Sequence, residues 1–302
     1  MSSSGYHELL SRAIEKLKAQ EPVLDLGTAR ILVVGDTHGY PEVTEWALEL
    51  AGHLSVEAVL FLGDYVDRGP RGVENLELVL SRLLEDGSPV VYMLRGNHED
   101  LEMNYYYGFY SEALNKRGPD YLDDIAKLYS TLPIAAKAGE VFFVHGGVPC
   151  RLCTNSEEDP VRVEEIAREA RVLREEGLPS LVESKSSLVM QALWNDPRGS
   201  IEWFIPSPRG PGIYLYGRSA WRKFLEENEL KVIVRAHETV DGVLVWYSSG
   251  GHREGVSGVL ELDELEYCVV SVFSSLYHGR RAAALLVDFE ERIVEPLYYE
   301  AG

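Results

Sequence analysis

Four segments of the chain share one pattern of apolar and polar positions. They are "RILVVGD" from Arg30, "EAVLFLGD" from Glu57, "PVVYMLRGN" from Pro89 and "EVFFVHGG" from Glu140. Each is a short unbroken apolar run that ends in glycine and a polar residue. A run of this length without polar alternation predicts a strand covered on both faces. Between the first two runs, Val43, Trp46, Ala47 and Leu50 recur at helical spacing. Between the second and third, "VENLELVLSRLLEDG" predicts another amphipathic helix, ended by Gly87. Strand, helix, strand, helix, strand implies βαβ units and a largely parallel sheet, with the ligand site off the carboxyl ends of its strands.

The remaining segments extend this plan. Leu9, Leu10, Ala13, Ile14 and Leu17 fall on one helical face, so residues 1–22 read as a helix packed on the domain. Residues 100–132 are tyrosine-rich and helical in pattern, and the acidic stretch 156–190 contains "VEEIAREARVLREEG", a solvated helix. From residue 212 the texture changes. "GIYLYG", "KVIVRAH", "GVLVWYSS", "YCVVSVFSS", "RAAALLVDF" and "RIVEPLYY" are closely spaced β-like runs that predict a second, mixed or antiparallel sheet. With no repeat or flexible linker in view, the expectation is one α/β domain over 1–302: two packed mixed sheets flanked by helices.

Composition narrows the partners. A net charge of −20 argues against nucleic acid, which needs a basic footprint. An anionic substrate stays open, because local arginines override a global field. No apolar run reaches the roughly 18 residues of a membrane span, and the N-terminus lacks a signal-like apolar core. Three cysteines argue against a disulfide scaffold and for a cytoplasmic location. Cys150 and Cys153 form a C-x-x-C, which reads first as ordinary thiols, then as a redox pair, then as a metal site. Only Gln20 and Gln191 represent glutamine, which points to a thermophilic source, although the lysine enrichment expected there is missing.

The stretch "VLFLGDYVDRGPRG" drives a buried strand directly into Asp64, Asp67 and Arg68. Buried unpaired carboxylates cost several kcal/mol in order of magnitude, so something must neutralise them. The other strand ends supply Asp36 and His38, Asn97 and His98, His145 and, later, His237. Such a cluster of carboxylates, imidazoles and an amide repels itself unless cations sit in it. Nitrogen and oxygen donors without thiolates suit Mn, Fe or Zn, and this many donors suits two ions rather than one. Paired ions favour in-line displacement at phosphorus.

"GDTHG" (35–39), "GDYVDRG" (63–69), "RGNHE" (95–99) and "HGG" (145–147) resemble, in order and spacing, the motifs of the phosphoprotein phosphatase superfamily. "LWNDP" (193–197), "SPRG" (207–210), "RAHETVDG" (235–242) and "FSSLYHG" (273–279) look like the later motifs of its type-1 and type-2A serine/threonine phosphatases. The likeness runs over about residues 25–300. It implies a metallophosphoesterase-like fold with a dimetal site at the carboxyl ends of the strands. In that resemblance Asp64 bridges two divalent ions (Mn, Fe or Zn), Asp36 and His38 complete the first, and Asn97, His145 and His237 the second. Asp67 orients His98, the general acid. Arg68 clamps the substrate phosphate, with Arg95, Arg209 or both nearby, and Tyr277 faces the substrate.

Three departures stand out. The run between Arg209 and Gly217 is one residue longer than the family pattern, leaving Arg218 as a competitor for the second clamp. The loop at Tyr277 is one residue shorter, and His278 replaces a cysteine. "VPCRLC" (148–153) has no counterpart. The expected activity is hydrolysis of phosphoserine and phosphothreonine in proteins. Two other readings are a dinucleoside-polyphosphate hydrolase on the same centre and a non-catalytic phosphate-binding scaffold.

Overall fold

The computed structural model describes residues 3–28, 30–176 and 187–300. Helix α1 (Ser3–Lys18) buries Leu10, Ala13, Ile14 and Leu17, with Leu9 half-buried at the edge. After β1 (Val23–Asp25) come β2 (Ile31–Val34), α2 (Pro41–His53), β3 (Ala58–Phe61), α3 (Gly72–Leu83) and β4 (Val90–Met93). Helix α3 stops at Leu83, short of Gly87. The tyrosine-rich stretch forms α4 (Leu101–Tyr107), α5 (Phe109–Arg117) and α6 (Pro119–Thr131). Strands β5 (Ala135–Ala138) and β6 (Val141–Val144) follow, then α7 (Val163–Glu176) and α8 (Leu188–Trp194). Helix α7 is not solvated all round: Val163, Ile166 and Ala170 are buried. Residues 177–186 of the acidic stretch lie outside the described residues.

The later elements are β7 (Asp196–Pro197), β8 (Phe204–Pro206), β9 (Tyr214–Tyr216), α9 (Arg218–Glu227), β10 (Val232–Arg235), β11 (Val243–Trp246) and β12 (His252–Glu254). They continue through β13 (Leu260–Glu261), β14 (Cys268–Val272), β15 (Ala283–Asp288) and β16 (Ile293–Tyr298). One sheet has the order β13-β16-β15-β2-β3-β4 and the other β1-β5-β6-β10-β14-β11-β12. Strands β2, β3 and β4 are parallel, as the strand–helix alternation predicts. The later runs do not form a sheet of their own, which corrects the expectation. Strand β15 pairs antiparallel with β2, and β6 pairs with β10 in the other sheet. Run texture reports burial, and the central strands of both sheets are buried on both faces, so it could not assign strands to sheets. A small third sheet, β7-β9-β8, is absent from the expected plan.

The two large sheets pack face to face. Ile31, Val33 and Leu60 of one meet Val141, Phe143, Val234 and Val270 of the other in a shared core. The alternate residues Leu32, Val34, Val59 and Phe61 face α1, α2, α3, α5 and α6. On the far side Phe142, Val144 and Ile233 face α7, α8 and α9. The unbroken apolar runs are thereby explained, since every position has a layer above or below it.

The sheets touch at the site edge. Asp36 bridges to Phe273, and a Cβ on Gly35 would stand 2.2 Å from the Val272 carbonyl oxygen, so only glycine lets the strands approach. Cys150 and Cys153 are joined in a disulfide, not left as thiols: their Cα atoms lie 5.0 Å apart, within reach of one bond. Cys268 is free and buried. No helix of the described residues is long and apolar enough to cross a membrane.

Candidate metal centre and phosphate site

The polar residues that end the strands converge. Asp36 and His38 follow β2, Asp64 follows β3, and Asn97 and His98 follow β4; His145 follows β6 and His237 follows β10. One sheet supplies the first five and the other sheet the last two. The chain turns sharply to deliver them. His38, Asp64, Asp67, Arg68 and His237 all have positive φ (44°, 56°, 66°, 66° and 67°), a conformation non-glycine residues adopt at a cost of order 1–3 kcal/mol. Such strain concentrates where geometry matters more than stability.

Asp64 stands at the centre. Its Oδ1 accepts the His98 backbone N–H at 2.9 Å, while Oδ2 lies 3.6 Å from His38 Nε2 and 3.4 Å from His145 Nε2. His38 Nδ1–H donates to the Val66 carbonyl at 2.8 Å, and His145 Nδ1–H to the Leu62 carbonyl at 3.0 Å. Each ring therefore turns its other nitrogen inward. His145 Nε2 faces Asn97 Oδ1 at 3.0 Å, so two acceptors oppose each other unless a cation or proton lies between them. His237 Nε2 is buried without a hydrogen-bond partner. Asp36 Oδ1 accepts the His237 backbone N–H at 2.9 Å, and Oδ2 lies 3.8 Å from His38 Nε2.

Two groups of donor atoms fall within ion-binding distance of one another: His38, Asp64 and His98, and Asp64, His145 and His237. Asp64 belongs to both. Burial pushes His38 down to about 3 and His237 well below its usual value, in the latter case helped by Arg209. Both rings thus keep neutral, ligand-competent lone pairs. Burial and then the charge of Asp64 push Asp36 up to about 6. Burial opposes ionisation of Asp64 too, but His145 and His98 hold its carboxyl well below the usual range. A pocket of inward lone pairs and crowded carboxylates fits divalent cations.

Asp67 is occupied differently. Its Oδ2 accepts His98 Nδ1–H at 2.7 Å and Asn104 Nδ2 at 2.9 Å, and Oδ1 accepts the Phe109 N–H at 2.9 Å. Burial alone would lower the His98 pKa; the charges of Asp64 and Asp67 outweigh it and raise the ring above its ordinary value. Arg68 Nη2 lies 3.2 Å from His98 Nε2. Its guanidinium sits between two rings, 5.0 Å from the centre of Tyr107 and 5.2 Å from that of Tyr277. Tyr107 also stands edge-on to His98 at 5.0 Å.

The other arginines separate clearly. Arg209 Nε donates to Asp196 Oδ2 at 2.6 Å, and its side chain lines a hollow of about 340 Å³ with Trp194 and Tyr106. Trp194 stands 5.6 Å from His237. Arg218 instead pairs with Glu202 and donates to the Ser249 carbonyl at the surface. Arg95, also expected near the phosphate, is turned to its own loop. It is 3% exposed, and its Nε and Nη2 both donate to the Glu99 carbonyl. It holds the turn that carries Asn97 and His98.

Supporting residues emerged that the motifs did not single out. The Glu99 carboxylate accepts the N–H groups of Asp64, Tyr65 and Gly96, and burial followed by the Asp64 charge pushes it up to about 7. Arg235 is fully buried; it donates to the Gly146 carbonyl, Asp196 Oδ1 and Glu238 Oε2. A charged residue inside the buried run "KVIVRAH" was the available signal. Tyr107 carried none beyond lying in a tyrosine-rich stretch.

Residues 29–241 match the calcineurin-like phosphoesterase family. The chain is 31% identical over 242 residues to a catalytic subunit of protein phosphatase 2A from Dictyostelium discoideum, covering 79% of this chain and 71% of that protein. It is 36% identical over 214 residues to the serine/threonine-protein phosphatase PP2A-like PPG1 of Candida albicans, covering 69% of this chain and 46% of that one. It is 33% identical to serine/threonine-protein phosphatase BSL2 of Arabidopsis thaliana over 76% of this chain, but spans only 22% of that longer protein. In structure it resembles a serine/threonine phosphatase of Saccharomyces cerevisiae with similarity to human PP5. The TM-score is 0.77 at 21% identity, over 100% of this chain and 91% of the other.

Proposed function

The chain belongs to the calcineurin-like phosphoesterase family, and we propose that it hydrolyses phosphoserine and phosphothreonine in proteins. The observation that carries this reading is the Asp64-centred donor cluster beside a closed His98–Asp67 pair and the cleft arginine Arg68. Asp36, His38 and Asp64 would hold one divalent cation, and Asp64, Asn97, His145 and His237 a second. Bound there, the pair supplies Lewis acidity and a nucleophilic water near neutral pH.

The chain's own residues do the rest. Arg68 and Arg209 grip the phosphoryl oxygens, Arg209 holding them alike before and during the reaction and Arg68 stabilising the charge that builds on them. The rings of Tyr107 and Tyr277 keep the Arg68 guanidinium in the cleft. A seryl alkoxide is a poor leaving group, so it needs a proton. His98 Nε2 donates it, while Asp67 fixes the ring through Nδ1 and favours the charged form. Asp67, already holding three donors, has no coordination role. Asp196 orients Arg209, and buried Arg235 orients Asp196.

The described residues read as one catalytic unit, because β15 and β16, near the C-terminus, complete the sheet that β2 opens. Phosphoproteins in the cytoplasm are the proposed partners. The test is turnover by the manganese-loaded protein of a phosphoserine peptide, a phosphotyrosine peptide and a dinucleoside tetraphosphate. The phosphoserine peptide is expected to be hydrolysed fastest. Preference for the dinucleoside would move the chain to the polyphosphate hydrolases, and no turnover of any would leave a binding scaffold.

A further inference from the structure

The C-x-x-C is the one motif that phosphoester chemistry leaves unused. Its disulfide lies on the loop leaving β6, just beyond His145. Cys150 is buried, Cys153 is half-buried, and Arg151 and Leu152 between them are exposed, so Cys153 is the less buried of the pair. The bond closes a very short loop. Its loss costs little chain entropy compared with a bond that ties distant segments, so its value is local. Cys153 also sits at φ +56°, a strained conformation that the bond helps to hold.

Two carboxamide and carboxylate clamps grip this loop. Glu158 accepts the backbone N–H groups of Arg151, Leu152 and Cys153 at 3.1, 2.7 and 3.1 Å. Gln191 of α8 accepts the Cys150 N–H at 2.8 Å and donates to the Cys150 carbonyl at 3.3 Å. Helix α8 then leads into the phosphate site. Asn195 donates to the Val148 carbonyl and to Gln191 Oε1, and accepts the Tyr214 N–H. The next residue, Asp196, holds Arg209. Loop, helix and clamp form one continuous set of contacts.

We infer that Cys150–Cys153 is a redox modification site that accepts electrons from a dithiol, and that its state tunes phosphate binding through Gln191, Asn195 and Asp196. The exchange stands independently; the effect on phosphate rests on the phosphatase reading. A thiolate of the dithiol attacks Cys153 Sγ, and the Cys150–Cys153 bond breaks. Cys150 leaves as a thiolate and takes up a proton. The second thiol of the reductant then attacks its own sulfur in the mixed disulfide and expels Cys153. The protein gains two electrons and two protons, and the dithiol becomes a disulfide. A chain with three cysteines suits a reducing compartment, where such a pair would turn over rather than persist.

Reduction frees the Cys150 and Cys153 backbone, loosens the Gln191 clamp and relaxes Arg209. Asp36, His38, Asp64, Asn97 and the His98–Asp67 pair follow strands of the other sheet, and His145, before the disulfide on its own loop, is anchored separately by the Leu62 carbonyl. The expected signature is therefore a several-fold weaker affinity for phosphate with little change in kcat. The manganese-loaded protein is treated with reduced dithiothreitol, alkylated with iodoacetamide and mapped by mass. In parallel, inorganic phosphate is titrated calorimetrically and KM and kcat are measured on p-nitrophenyl phosphate. Cys150 and Cys153 are expected to be labelled only after reduction, with the circular dichroism unchanged. Phosphate affinity is expected to fall several-fold and to return with oxidised dithiothreitol.

The Cys150→Ser/Cys153→Ser variant is expected to match the reduced form and to ignore dithiothreitol, which separates the effect from any action of the reagent on the metals. Cys268→Ser is expected to respond as the parent does. Labelling of both cysteines without reductant, or reduction only on unfolding, would overturn the exchange. Equal phosphate affinity in the oxidised, reduced and double-serine forms would overturn the coupling. Because calorimetry and labelling need no turnover, an inactive protein would refute the phosphatase reading while leaving both arms decisive.

Discussion

Asp67 holds three donors, from His98, Asn104 and Phe109, so its charge is committed to the ring of His98. Removing either member of the pair is expected to lower kcat on a phosphoserine peptide by roughly 10²–10⁴. The double variant should be little worse than the single ones, since the two act as a unit. The loss should shrink on p-nitrophenyl phosphate, whose leaving group needs little protonation; equal losses on both substrates would remove His98 from the acid role. The sign of the pH effect follows from the raised His98 pKa. The acid form persists above the ordinary histidine value of 6.5 and is lost as pH rises through the raised one. The basic limb of kcat should therefore follow loss of the His98 proton and vanish in His98→Asn. Arg209→Ala should raise KM with a smaller change in kcat, and Arg218→Ala, whose charge is spent on Glu202, should change neither. Steady-state kinetics of the two variants decides between them. The metal-ligand candidates and His98 were legible one by one because each follows an apolar run. The direction of Arg95 was not, because the carbonyl that claims it is set by the fold of its own turn.

At the scale of elements, strand ends do the positioning. Strands β2, β3 and β4 were legible as parallel neighbours from the alternation of apolar runs and amphipathic stretches. The partnership of β15 with β2 was not, because pairing depends on which faces remain uncovered after the helices pack. The crossing of the two sheets at Gly35 hides in the same way: a glycine in "VVGD" reads as a turn, and only the Val272 carbonyl shows that it is a close approach. Gly35→Ala is expected to cost about 1–3 kcal/mol, since a fixed carbonyl must give way. Thermal unfolding should show this as a lowered Tm, with activity falling further than stability because Asp36 moves with its strand. An unchanged Tm would mean that the sheets part there easily.

For the whole molecule, a net charge of −20 surrounds a site proposed to bind a phosphate dianion. Local arginines offset that field at contact range, and two bound cations would strengthen the attraction. The six ligand-type residues come from two sheets and from positions 36 to 237, so the dimetal reading depends on the entire fold holding them together. Titration of metal-free protein with manganese, while phosphoserine-peptide hydrolysis is followed, tests this most directly. Turnover is expected to be absent without metal and to rise to a plateau at two equivalents per chain. A plateau at one equivalent, or full turnover in metal-free protein, would contradict the account.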